Sequence, residues 1–306
     1  MRAGGFLFGV AVTSVFLIGF ESKTPAGEPI PLPLHRPAPM RIGMIDSLFQ
    51  DVPQSTVLAF MQPFGAIMEA QTGVSGELVP GGDVAHLSQQ IVDDKLQLGV
   101  FHGIEFAWAR QKHPELRALA IAVNQHIYLR ALLVVRADCK ISSIRDLQGK
   151  IVALARGTRE HCLLYLDHHC EQCNKSRSTF FARITTPSSA EEAIDDVIDN
   201  EADAAIVDQL ALDCYKRRKP GRCAKIRPAD ISEPFPAAAV VYKNGAIDEA
   251  LLKRFREGLM NANRSIMGRQ IFTLFKLTAF EPVPKDYDQV LAEIARAYPQ
   301  PPRKAK

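Results

Sequence analysis

From residue 41 onward the chain alternates short apolar runs with longer stretches whose apolar residues recur every three or four positions. The first pattern suits buried strands and the second amphipathic helices, so the sequence predicts a βα architecture. Strands are expected at 41–45, 76–79, 98–101, 119–123, 128–136, 151–154, 182–185, 204–207 and 237–242. Residues 56–72 carry Leu58, Met61, Ile67 and Met68 at helical spacing and stop at Gly73, a residue suited to a helix C-terminus. Further helices are expected over 84–94, 188–200 and 247–262, with a helical turn at 142–147. Ser188 and Ser189, followed by Glu191 and Glu192, read as an N-cap with acids in the first turn.

Two strands break the uniform alternation. Residues 128–136 are long, apolar and near the middle, and a fresh βα series follows them; after 237–242 the chain reads as helical to Tyr298. Two lobes joined by two crossing strands produce this order. The fold class expected is α/β and two-lobed, each lobe a mixed sheet flanked by helices. Lobe I comprises 41–135 plus 238–300 and lobe II comprises 138–235, with the cleft between them as the natural ligand site.

The ends and the cysteines add a compartment. Arg2 precedes the apolar run 6–20, and small residues follow at 24–27, which is the plan of a secretory signal over 1–27. That run falls short of the roughly 20 residues of a membrane-spanning helix, although residues 3–5 bring it close, so an uncleaved anchor is the alternative. Residues 28–40 are proline-rich and read as an extended linker, and 301–306 as a basic tail. Export favours disulfides among Cys139, Cys162, Cys170, Cys173, Cys214 and Cys223; Cys214 and Cys223, which bracket the loop 216–222, are the natural local pair. The net charge of +3 is spread over interspersed charges of both signs, so no nucleic-acid footprint stands out.

Candidate chemistry concentrates at 150–166. An apolar strand breaks at Ala155-Arg156-Gly157-Thr158-Arg159-Glu160 and leads straight into a helix start. A helix N-terminus has unpaired N–H groups and partial positive charge, so this turn suits a small anion, although a plain capped connection would look the same. His161, Cys162, His168, His169, Cys170 and Cys173 have metal-like spacing, but Asn174 stands where a haem-attachment motif needs His, and disulfide pairing competes. No metal or other cofactor is expected. Gly-x-Ser-x-Gly, His-Glu-x-x-His and Gly-x-x-x-x-Gly-Lys motifs are absent from the sequence, which favours capture over catalysis.

Several segments carry a likeness: Pro63 to Val74 with its Glu69 and Thr72-Gly73, Val100-Phe101-His102-Gly103, Leu133 to Asp138, Ile144 to Lys150, and Glu201 to Asp208. Together they resemble the periplasmic substrate-binding proteins of phosphonate, phosphite and phosphate ABC importers, a branch of the type II periplasmic binding fold. The resemblance implies a monomer that captures a small oxyanion and passes it to a membrane permease. It also implies an anion-binding turn rich in Ser, Thr and Gly; Gly157 and Thr158 keep that character, while Arg159 and Glu160 replace small hydroxyl residues, and Phe106 stands where the family often has another aromatic.

The candidate ligand-binding residues are therefore Gly157, Thr158 and Arg159 at the turn, Asp46 and Ser47 at the end of the first strand, His102 at the end of the third, Ser188 and Ser189 at a helix start, and Asp208 at the end of a lobe II strand. Each has a structural alternative: a cap for Asp46 and Ser47, a core site for His102, a hinge hydrogen bond for Asp208. A sensing module on the same fold, and a metal or redox protein using the 161–173 cluster, are the competing functions.

Overall fold

The computed structural model describes residues 39–49, 68–70 and 73–301. The expected secretory signal, most of the linker and tail, and most of the helix at 56–72 lie outside the described residues. Within them no helix is long and apolar enough to cross a membrane.

The first sheet contains β1 (Met40–Ile45), β2 (Gly76–Gly82), β3 (Leu98–Phe101), β4 (Leu116–Val123), β12 (Ala238–Lys243) and β13 (Ala279–Glu281) in the order β13-β4-β12-β3-β1-β2. The second contains β6 (Ala131–Arg136), β7 (Ile151–Ala153), β8 (Arg183–Thr185), β9 (Ala204–Asp208) and β10 (Ile226–Ile231) in the order β10-β6-β9-β7-β8. A two-stranded ribbon, β5 (Tyr128–Leu129) against β11 (Phe235–Pro236), carries the chain from one sheet to the other and back. Ala131–Arg136 pairs only within the second sheet, so residues 131–135, expected with lobe I, belong with lobe II.

Strand geometry turns adjacent side chains to opposite faces, and both sheets use both faces. In the first sheet Leu98 and Val240 enter one core with Leu252 and Phe255, while Phe101, Ala239 and Val241 enter another with Leu87, Ile91, Leu291 and Ile294. In the second, Leu133 and Ile206 face Leu166 and Phe180, and Leu132, Val134 and Val207 face Ile194 and Val197. The covering helices are α1 (Val84–Val92), α2 (Gly103–Lys112), α3 (Glu160–Gln172), α4 (Ala190–Ile198), α5 (Gln209–Arg218), α6 (Glu249–Met260), α7 (Ile266–Leu274) and α8 (Tyr287–Ala297).

Three further expectations are corrected. The strand expected over 128–136 is two strands broken at Arg130, whose Nη1 donates to Ser232 O at 2.8 Å and whose carbonyl accepts from Gln209 N at 2.9 Å. The segment after β12 is not wholly helical, because β13 pairs antiparallel with β4. All six cysteines are free thiols, so the expected Cys214–Cys223 disulfide is not formed; Cys214 Sγ instead lies 3.1 Å from Arg217 Nη2.

Candidate functional site

Two strand-to-helix corners, one on each sheet, build the cleft. On the first sheet β3 ends at Phe101, His102 follows as the N-cap of α2, and Gly103 begins the helix. A Cβ on Gly103 would lie 2.0 Å from Pro236 O and 2.6 Å from Ala237 O. Only glycine fits there, so the helix start is pressed against the crossing strand β11. Two residues further on, Glu105 sits inside the first turn and is 7% exposed. Ser47 Oγ, reaching across from the turn after β1, donates to Glu105 Oε2 at 2.7 Å. Burial, reinforced by the Glu160 carboxyl across the cleft, pushes the Glu105 acid up to about 8 despite hydrogen bonds from Ser47 and the His102 backbone. Burial also depresses the basicity of His102, against the favourable Ser47 carbonyl and with Arg159 and His161 adding to the depression.

On the second sheet the chain leaves β7, turns at Gly157 with φ +69°, and enters α3 through Arg159, its N-cap. The positive φ suits glycine. Thr158 Oγ1 donates to Ala155 O at 2.6 Å, so the hydroxyl proton is spent on the turn and the oxygen is left as an acceptor. Glu160 opens the helix; desolvation pushes its acid upward although the residue still reaches solvent. His161 Nε2 lies 3.1 Å from Asp208 Oδ2, and Arg159 Nε 3.9 Å from the same oxygen. Burial opposes ionisation of Asp208, yet His161, Arg159 and the Leu210 N–H hold it below the usual carboxylate range.

These corners face one cavity of about 490 Å³ whose lining includes Ser47, His102 and Gly103 from lobe I, 157–161 from lobe II, and Phe235 and Pro236 of the ribbon. Two helix N-termini and the Arg159 guanidinium thus meet one space, an arrangement suited to an oxyanion. His102, Glu105 and Glu160 also offer ligand atoms that all lie within 4.8 Å of one another, the one such metal-capable group among the described residues.

Of the residues singled out in the sequence, Ser47, His102, Gly157, Thr158 and Arg159 line the cavity. Asp208 supports it from behind through His161. Asp46 is turned to Gly82 N, 3.2 Å from its Oδ1. Ser188 and Ser189 are absorbed in capping α4: Ser188 N and Oγ donate to Glu192 Oε2 at 2.7 and 2.5 Å, and Ser189 Oγ accepts from Glu192 N at 3.1 Å. Phe106 is fully buried in the core behind α2. The 161–173 cluster does not converge: His168 packs on Tyr298 at 4.9 Å between ring centroids and bonds Gln172, while Cys162 and Cys170 are buried thiols, the latter pushed by desolvation up to about 12. Glu105 was missed, although its place three residues after a helix N-cap is a readable signal.

Two mixed sheets joined by a paired crossing ribbon, with the cavity at their junction, define a type II periplasmic-binding fold, and solved structures agree. XAC2383 from Xanthomonas citri bound to chloride ion aligns with a TM-score of 0.57 at 17% identity, over 85% of this chain and 96% of that one; the same protein bound to ATP gives 0.55 at 17%, with the same coverage. PhnD1 from Prochlorococcus marinus in complex with methylphosphonate gives 0.53 at 16%, over 84% and 97%. No curated protein matches the chain. Residues 48–287 match the family described as ABC transporter, phosphonate, periplasmic substrate-binding protein, and the chain belongs to that family.

Proposed function

We propose that the chain is an extracytoplasmic solute-binding protein that captures a small oxyanion of the phosphonate, phosphite or phosphate type in the interlobe cleft and delivers it to an ABC permease. The observation that carries this reading is the convergence of the α2 and α3 N-termini with Arg159 on one cavity. Arg159 is the recognition residue: its guanidinium offers a forked set of donors to an oxyanion, and its side chain is 39% exposed, free to turn from Asp208 to a ligand. The His161–Asp208 contact fixes the wall beneath it. Methylphosphonate in the Prochlorococcus protein and chloride in the Xanthomonas protein support an anion as cargo. The secretory plan of residues 1–27 fits the family's periplasmic setting.

The test is calorimetric titration with methylphosphonate, phosphite, phosphate and sulfate. At least one should bind, and Arg159→Met should weaken it about 10- to 100-fold, the loss expected for a charge-assisted hydrogen bond. A protein that binds none of the panel is not an oxyanion carrier of this type.

A further inference from the structure

The cleft carries more carboxyl groups than an anion site needs. Glu105 comes from α2 of lobe I and Glu160 from α3 of lobe II, and among the described residues neither has an ion-pair partner. The basic side chains beside Glu160 on lobe II face Asp208 instead: His161 Nε2 lies 3.1 Å and Arg159 Nε 3.9 Å from its carboxylate. Two facing carboxyls with one buried, at 7% exposed, are neutralised either by a proton, as on Glu105 when no ion is bound, or by a cation held between them. The His102 ring stands beside them, and donor atoms of all three residues lie within 4.8 Å of one another.

The two ligands on lobe I are held from behind by one residue. Ser47 Oγ donates to Glu105 Oε2 at 2.7 Å, and the Ser47 carbonyl faces the His102 ring N–H. Such outer support orients metal ligands and selects which imidazole nitrogen is free to coordinate. One imidazole nitrogen and two carboxylate oxygens suit a divalent first-row ion, and three protein ligands leave a coordination position for something else.

We propose that His102, Glu105 and Glu160 form a three-ligand site for a divalent transition-metal ion, of the zinc or manganese class, that bridges the two lobes and presents an open position to an oxyanion. The ion would neutralise the two carboxylates while offering its open coordination position to an anion, and would give Glu160, unexpected in an anion-binding turn, a positive task. The role of the open position rests on the oxyanion reading of this cleft; the metal site itself does not.

The full chain, stripped with a chelator and desalted, is titrated with zinc and then manganese ions in a buffer whose only small anion is chloride, and retained metal is counted by elemental analysis. One ion per chain should bind. Glu160→Gln and His102→Gln should each weaken binding by at least roughly tenfold, while His168→Ala, in the cluster elsewhere on α3, should leave it unchanged. Retention of no ion, or undiminished retention by both cleft variants, overturns the proposal. If metal binds as expected but the oxyanion panel fails with and without it, the carrier reading falls and the metal site stands; if the panel binds and metal does not, the reverse holds.

Discussion

Glu105→Gln isolates the most strongly perturbed carboxyl in the cleft. In the folded chain this acid holds its proton up to about 8, whereas an ordinary glutamate releases it near 4.5. Between those values the folded state binds more protons than the unfolded state, so stability is fully present below about 4.5 and is lost as pH rises toward 8. At about 1.4 kcal/mol per pH unit, the interval corresponds to roughly 4 to 5 kcal/mol as an upper bound. Glutamine imitates the protonated acid in shape and keeps an acceptor for Ser47 Oγ, so the variant should lose this pH dependence and keep the fold. Urea unfolding followed by Trp108, the chain's one tryptophan and a buried one, measures both proteins from pH 5 to 8.5 with chelator present. The stability difference should shift in favour of the variant by a few kcal/mol across that range. Parallel curves would show that Glu105 ionises normally and that its burial carries no electrostatic cost.

Gly103→Ala drives a methyl to within 2.0 Å of Pro236 O, so either α2 or the ribbon must move; stability should fall by about 1 to 3 kcal/mol in thermal or urea unfolding, and oxyanion affinity should fall with it. Unfolding the chain without reductant and titrating its thiols should release six per chain; four or two would mean that disulfides form after all.

The strand and helix pattern was legible wherever burial is two-sided, because the runs around Leu98, Leu133 and Ile206 carry apolar residues on both faces. Edge strands were legible only in part: β2 and β8 were expected at 76–79 and 182–185, whereas β10 and β13 were not. Ile226–Ile231 contains Pro228 and shifts register between Pro228 and Asp230, features tolerated at the rim of a sheet, where β10 lies, and the segment was not among the expected strands. The break at Arg130 was hidden because apolar residues continue through it; what separates the strands is a tertiary hydrogen bond to Ser232, formed from 102 residues away. The site divided along the same line. Local features such as the Gly157 turn and the strand end at His102 could be read from the sequence, while the helix that His102 caps was not expected, and five of the nine singled-out residues line the cavity. The meeting of Glu105 with Glu160 is a contact between lobes, and periodicity carries no information about it. Ser188 and Ser189 show the converse: hydroxyls at a helix start attract attention as ligand donors, but Glu192, four residues beyond Ser188, already occupies them.

The same carboxyls decide how an oxyanion would respond to acidity. Each helix start at the cleft carries its own acid, Glu105 in α2 and Glu160 in α3, so part of the field an anion would meet is already answered. Around them stand Ser47 and His102 on one lobe, and Arg159 and the His161–Asp208 pair on the other. Without a metal ion, burial raises both acids, and the proton that Glu105 takes up near 8 removes a charge that repels the ligand; affinity should strengthen as pH falls from 8 to 6. With a divalent ion held by His102, Glu105 and Glu160, the same protons compete with the metal, and affinity should weaken over that interval. Calorimetric titrations of the best-binding anion at both pH values, with chelator and with added zinc, therefore read opposite signs from one site. Identical slopes in the two conditions would show that these carboxyls do not govern the ligand.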